Sequence, residues 1–228
     1  MIKYFEGKQR LKTAEVVREI SLRREKYYFD FLNKKFICYP TVFPPKYFTD
    51  SEFFAQEMSI SPNERILEIG CGTGVLSIFA IFKGAQVVFA GDINPVAALN
   101  TLENARLHQL QSKIHVFCGD IFRPLRGLNF FDTIVWNVPF AAVREENLSP
   151  LEQALWDTKY RRLTRFISEA HHYHGRIILG FSSTIGDLNY LQNLCARSDY
   201  KIKLVKSRIS KSVGDTMDLK FEIFELTH

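Results

Sequence analysis

The stretch Leu67-Glu68-Ile69-Gly70-Cys71-Gly72-Thr73-Gly74-Val75-Leu76 constrains this chain more than any other. The apolar run Arg65 to Ile69 reads as a strand, and Val75 to Lys83 reads as a helix. Between them glycine recurs at every second position. Glycine there permits dihedrals that other residues avoid and lets a ligand approach the backbone without meeting a Cβ. A strand, a glycine-rich turn and a helix open a unit of an open α/β sheet. Such sheets bind ligands outside the carboxyl ends of their strands.

The rest of the chain continues the alternation. Strands are expected at Gln86 to Ala90, Ile114 to Cys118, Thr133 to Trp136 and Arg176 to Leu179. Helices are expected from Pro95 to about Leu107, Gln153 to His171 and Asp187 to Arg197. Lys201 to Lys206 and Asp218 to Glu225 read as a closing hairpin whose last strand inserts antiparallel. The expected fold is α/β: a Rossmann-like, seven-stranded, mostly parallel sheet with helices on both faces and a C-terminal antiparallel hairpin. Residues 61–228 are expected to form this domain. Residues 1–60 read as a short N-terminal helical segment and a proline-rich lid or linker. From Arg10 to about Lys35, Leu11, Val16, Val17, Ile20, Tyr27 and Phe31 alternate with charged residues, as in one or two amphipathic helices. Tyr39 to Lys46 is rich in proline, and Thr49 to Glu52 offers N-caps for a helix from Phe53 to Met58.

Composition excludes several classes. The cysteines Cys38, Cys71, Cys118 and Cys195 form no Cys-x-x-Cys pair, so a zinc ribbon or disulfide scaffold is not expected and a reducing cytoplasm suits the chain. No apolar run is long enough for a membrane span. The net charge of +5 is a mild basic bias. The basic run Lys8 to Lys35, with Tyr27, Tyr28 and Phe29, could contact an anionic partner or simply be a solvated face. His171-His172-Tyr173-His174 precedes Gly175 and reads as a helix end meeting its dipole, so no metal is expected. Arg161-Arg162 reads as surface. The 20 Phe point to an aromatic-rich core, a flat aromatic pocket, or both.

Glu68 narrows the ligand. An acid two residues before the first glycine repels a pyrophosphate, and the spacing is not the G-x-G-x-x-G of dinucleotide sites. It suits a cation. Asp92 ends the next strand, where a carboxylate can accept both hydroxyls of a ribose. Asp120 ends the third and can take an adenine amino group, with Ile121 flanking the ring. This succession resembles the class I S-adenosylmethionine-dependent methyltransferases, whose first motif is E-x-G-x-G-x-G, over about Pro62 to Glu225. The resemblance implies S-adenosylmethionine as cofactor, with Glu68, Gly70, Cys71, Gly72, Gly74, Asp92, Ile93, Asp120, Ile121 and Asn137 around it.

Asn137-Val138-Pro139-Phe140 ends the fourth strand and is similar to the N-P-P-[YF] motif of amino-methylating members. An amide or exocyclic amino nitrogen is a poor nucleophile because its lone pair is delocalised. Asn137 Oδ1 and the Val138 carbonyl could accept its two hydrogens and turn the lone pair toward the methyl group. Pro139 would fix the turn and Phe140 stack on a planar acceptor. Valine at 138, where the family has proline, loosens the turn and leaves the acceptor class open. The segment Val42 to Glu52 is similar to the one preceding the fold in the HemK/PrmC-like glutamine methyltransferases, where it lies over the cofactor. Phe48 and Thr49 are its candidates here. The N-terminal segment is shorter than that family's helical domain.

The resulting expectation is methyl transfer to a planar amide or amino nitrogen of a protein glutamine or of an RNA or DNA base, the base being flipped out of any stack. A biosynthetic N- or O-methyltransferase of small molecules is the alternative, with the N-terminal helices as a lid. A non-catalytic S-adenosylmethionine-binding subunit is a further one.

Overall fold

The structure is a computed structural model that describes residues 2–125, 127–211 and 217–228; the side chains of Lys8, Gln9, Arg10 and Leu11 lie outside the described residues. At its centre is a seven-stranded sheet. Its strands run in the order β5 (Ile114–Cys118), β4 (Val87–Asp92), β3 (Arg65–Ile69), β6 (Thr133–Asn137), β9 (Arg176–Ser182), β11 (Asp218–Thr227) and β10 (Lys201–Lys211). The first five are mutually parallel, and β11 enters antiparallel between β9 and β10. The strands alternate between two apolar faces, as the pleat requires. Ile66, Val135 and Ile178 face α2 (Thr49–Glu57), α3 (Val75–Phe82) and α4 (Pro95–Leu107). Leu67, Ile134 and Ile177 face α6 (Arg161–Ala170) and α7 (Leu188–Arg197).

Two expectations are corrected. The expected helix from Gln153 to His171 is broken in three: α5 (Pro150–Leu155), β8 (Trp156–Thr158) and α6. Lys159 and Tyr160 take left-handed dihedrals between them. Tertiary contacts win over local helix preference. β8 pairs in parallel with β7 (Ala141–Val143), and the fully buried Tyr160 hydroxyl donates to Phe140 O at 2.8 Å and accepts from Asp187 N at 2.8 Å. Asp157 then accepts from Leu163 N, in the first turn of α6, at 2.9 Å.

The second correction concerns Arg10 to Lys35. Helix α1 (Lys8–Ser21) is present, but Tyr27–Phe31 and Lys34–Cys38 form an antiparallel hairpin, β1 and β2, turning on Leu32 and Asn33 at positive φ. Phe31 leaves the helical stripe expected of it and clusters with Phe29, Phe36 and Phe79 of α3, with the Phe31 and Phe79 rings 5.7 Å apart. Helix α4 holds β2 by its side chains. Asn104 Oδ1 accepts from Ile37 N at 2.8 Å, while its Nδ2 donates to Ile37 O at 2.7 Å and Thr73 O at 2.8 Å. Asn100 adds Tyr39 N and Ile37 O, each at 2.8 Å.

Asn104→Ala leaves a buried N–H and a buried carbonyl unpaired, at a cost of about 3 kcal/mol. The expected fall in melting temperature is roughly 6–12 °C. An unchanged melt by circular dichroism would mean that the hairpin is held by its rings alone.

Candidate active site

A cavity of about 380 Å³ opens at the carboxyl ends of β3, β4, β5 and β6. Of the residues expected from the sequence, Phe48, Thr49, Glu68, Gly70, Cys71, Gly72, Asp92, Ile93, Asp120, Ile121, Asn137, Val138, Pro139 and Phe140 all line it. Gly74 is not among the lining residues. It caps α3 at φ +79°, and a Cβ there would lie 2.8 Å from Thr101 Cγ2, so its glycine serves the turn and the packing on α4.

The turn is braced by Asp92. Its Oδ2 accepts from Gly72 N and its Oδ1 from Asn94 N, both at 2.9 Å, which leaves a further lone pair on each oxygen. Burial raises its pKa, against the lowering effect of these two bonds. Glu68 is more deeply buried. It accepts a bond from Ser77 Oγ, and burial pushes its pKa up to about 8. Asp120 differs: Arg165 binds both its oxygens and holds its pKa down, so its contact with any adenine amino group has to use the lone pairs left over.

Sequence reasoning missed three side chains here. Arg165 is one. Arg162 is another: it is largely buried rather than on the surface, lines the cavity, and donates from Nη2 to Gln153 O at 2.7 Å and Trp156 O at 2.5 Å. The signal was the acid Asp157 five residues earlier, too far for a partner on a continuous helix but not across the observed break. The third is Asp50, read above only as a cap. It is buried in the first turn of α2, and its Oδ2 accepts from Asn137 Nδ2 at 2.7 Å. Burial raises the Asp50 pKa and this bond works against that shift. Gly180 closes the other side: a Cβ there would lie 2.3 Å from Asn137 Oδ1.

Phe43, Phe48 and Thr49 border the same space. Phe48 stacks on Phe43 at 4.6 Å, and Thr49 Oγ1 bonds Ser210 Oγ at 3.1 Å. The Phe140 ring packs against Phe181 and Phe221 at 6.3 and 6.0 Å. Among the described residues no group of three or more His, Cys, Asp or Glu could hold a metal ion, and His171 instead meets the Tyr200 and His228 rings. Among them, too, no helix is long and apolar enough to cross a membrane.

The donor set fits S-adenosylmethionine. The cavity volume is within the range of small-ligand sites. Glu68 offers a buried carboxyl to a cation, Asp92 offers free lone pairs to hydroxyls, and Ile93 and Ile121 offer flat apolar contact to a base.

Glu68 also makes stability depend on pH. Its folded pKa of about 8 lies above the ordinary 4.5, so the folded state binds the proton more tightly than the unfolded chain. Its contribution to stability is whole below the ordinary value and is lost as pH rises through about 8. Denaturant titrations of the ligand-free protein are expected to show stability falling across that window, and Glu68→Gln to flatten the fall. Parallel curves for the two proteins would remove Glu68 as its source.

A sequence model of the ribosomal protein L11 methyltransferase family matches residues 49–147. The chain is 35% identical over 143 residues to a Methanocaldococcus jannaschii protein assigned as a protein N5-glutamine methyltransferase, covering 61% of this chain and 70% of that one. It is 38% identical over 87 residues to the release factor glutamine methyltransferase of Aquifex aeolicus, covering 36% of this chain but only 31% of that protein. The chain thus spans about a third of the length of that bacterial relative. In fold it is similar to M. capricolum TrmK, solved with S-adenosylhomocysteine, at a TM-score of 0.56 and 13% identity over 78% of this chain and 66% of that one. The glycine-rich turn with its acids, the sheet order and these likenesses agree: the chain belongs to the class I S-adenosylmethionine-dependent methyltransferases of the HemK-like type.

Proposed function

We propose that this protein methylates a planar amide or amino nitrogen, held by the turn Asn137-Val138-Pro139-Phe140. When bound, S-adenosylmethionine supplies an electrophilic methyl group on a sulfonium. The observation that carries the reading is the 2.7 Å bond from Asn137 Nδ2 to the buried Asp50 carboxylate. Occupied in this way, the amide nitrogen cannot exchange places with Oδ1, and the oxygen is fixed as the acceptor. An acceptor oxygen, with the Val138 carbonyl beside it, is what a nitrogen bearing two hydrogens needs. Both N–H groups are engaged, and the lone pair is free to point at the methyl. Asp92 and Glu68 hold the donor, and Phe140 offers a flat face to the acceptor. The nitrogen sheds its surplus proton to solvent after transfer, so no strong base is required.

The names of the relatives, protein glutamine and release factor glutamine methyltransferases, support an amide as the acceptor group. Nothing in the turn distinguishes a glutamine amide from an exocyclic amine, because both present two hydrogens on a planar nitrogen. Asp50 is a positioning residue in this scheme.

Asn137→Ala is expected to leave S-adenosylmethionine affinity nearly unchanged and to cut transfer of labelled methyl into a cell extract by about 10²–10³-fold. Asp50→Asn, which keeps an oxygen for Asn137, is expected to retain more transfer than Asp50→Leu. Asp92→Ala is expected to weaken S-adenosylmethionine binding by roughly 10–100-fold in calorimetry. Full transfer by Asn137→Ala would remove the turn from the chemistry, and full affinity in Asp92→Ala would remove the hydroxyl assignment.

A further inference from the structure

The end of β5 and one face of α6 meet through charge. Arg165 Nη1 donates to Asp120 Oδ2 at 2.7 Å, and Arg165 Nη2 donates to Asp120 Oδ1. A guanidinium fork set edge to edge on a carboxylate fixes both its position and its plane. Glu169, one turn further along α6, lies 3.3 Å from Arg165 Nε. Asp120 lines the cavity and Arg165 does not. The backbone that carries Asp120 is held as well. Gly119 N donates to Asp92 O at 2.9 Å, and Arg123 N donates to Asp120 O at 3.1 Å. Phe122 stacks on Phe166 and Tyr173, with rings 5.4 and 4.7 Å apart, which fastens the loop after β5 to α6 and the turn beyond it.

This pairing decides what Asp120 can do to a ligand. Two bonds from Arg165 leave a further lone pair on each carboxylate oxygen. Those bonds hold the Asp120 carboxyl below the usual carboxylate range, and the charges of Arg165, Arg123 and Arg162 help them against burial. An ionised carboxylate accepts hydrogen bonds and cannot donate one. A 6-aminopurine meets it with N–H groups. A 6-oxopurine meets it with an oxygen, and two acceptors face each other unpaired. A protonated carboxyl would lose the distinction, because its O–H could donate to that oxygen.

We propose that Arg165 sets the base specificity of the cofactor site: by fixing Asp120 as an acceptor-only group, it makes the site select a 6-aminopurine nucleoside over a 6-oxopurine one. Arg165 is a positioning residue, since it acts through Asp120. This role is independent of the methyl acceptor proposed above and rests on Asp120 meeting the adenine amino group.

The test titrates S-adenosylhomocysteine and S-inosylhomocysteine into the full chain by calorimetry, at about pH 5 and about pH 8. The two ligands differ only at the base, so titration of Glu68 and Asp92 cancels in the ratio of their affinities. The unsubstituted protein is expected to prefer the adenosyl ligand by about 10–100-fold at both pH values. Arg165→Met is expected to cut that preference by about fivefold or more at the lower pH relative to the higher, as Asp120 takes up a proton. Arg165→Lys, which keeps the charge, is expected to preserve the preference at both. A purely structural loss would weaken the two ligands alike and leave their ratio unmoved. An Arg165→Met ratio equal to that of the unsubstituted protein at both pH values would overturn the proposal. A preference in the unsubstituted protein that vanishes at the lower pH would overturn it too, and that measurement needs no variant to fold. Asp120→Asn can present either an N–H or an oxygen and is expected to abolish the preference. A full preference in Asp120→Asn, or none in the unsubstituted protein, would remove adenine from Asp120 and the proposal with it, while the methyl-transfer reading would stand.

Discussion

The bond between Asp50 and Asn137 joins residues 87 apart in sequence, and the site depends on it. An acid buried as completely as Asp50 is costly unless its oxygens are hydrogen-bonded. Here the amide of Asn137 supplies one partner, and the first turn of α2 supplies backbone donors. The same bond fixes which end of the amide accepts, ties α2 to the end of β6, and holds the start of α2 beside Phe48 and Thr49 at the cavity wall. The start of α2 and the turn after β6 are therefore one structure. Loosening α2 changes the orientation of Asn137, and losing Asn137 leaves a buried carboxylate without its side-chain partner.

Much of this was legible in the sequence because it rests on local rules. Glycines at 70, 72 and 74 can only be a turn, Pro95 sits where a helix starts, and the apolar runs at 65–69 and 133–137 are bounded by turn residues. The strand ends follow from those runs, and so the acids at 68, 92 and 120 fall at the rim of one cavity. Asp50 was visible only as a cap candidate, since nothing local says that a residue far along the chain will meet it.

What was not legible was decided by pairing between distant segments. Tyr27 to Phe31 reads as helix when its apolar residues are joined to those of α1. Taken alone, Phe29 and Phe31 alternate with Tyr28 and Asp30, which is the period of a strand. The asparagines of α4 settle the matter by satisfying the backbone of β2, a role that helix periodicity does not encode. The break at Lys159 and Tyr160 is similar. Leu155, Leu163 and Ile167 keep a helical spacing across it, and only the partner strand β7 shows why Trp156 to Thr158 extend.

The charge of the cavity runs against that of the chain. A protein with net charge +5 lines its main cavity with Asp50, Glu68, Asp92 and Asp120, and among the described lining residues the cations are Arg162 and Lys211. Arg162 is surrounded by Asp157, Asp120 and Asp92, and burial lowers its own pKa. Burial likewise raises the pKa values of Glu68, Asp92 and Asp50, so these carboxyls are harder to ionise than exposed ones. A cationic ligand relieves that resistance by replacing lost solvent with opposite charge, whereas an anion would deepen it. A neutral planar amide or amine, the acceptor proposed above, adds no charge to that balance.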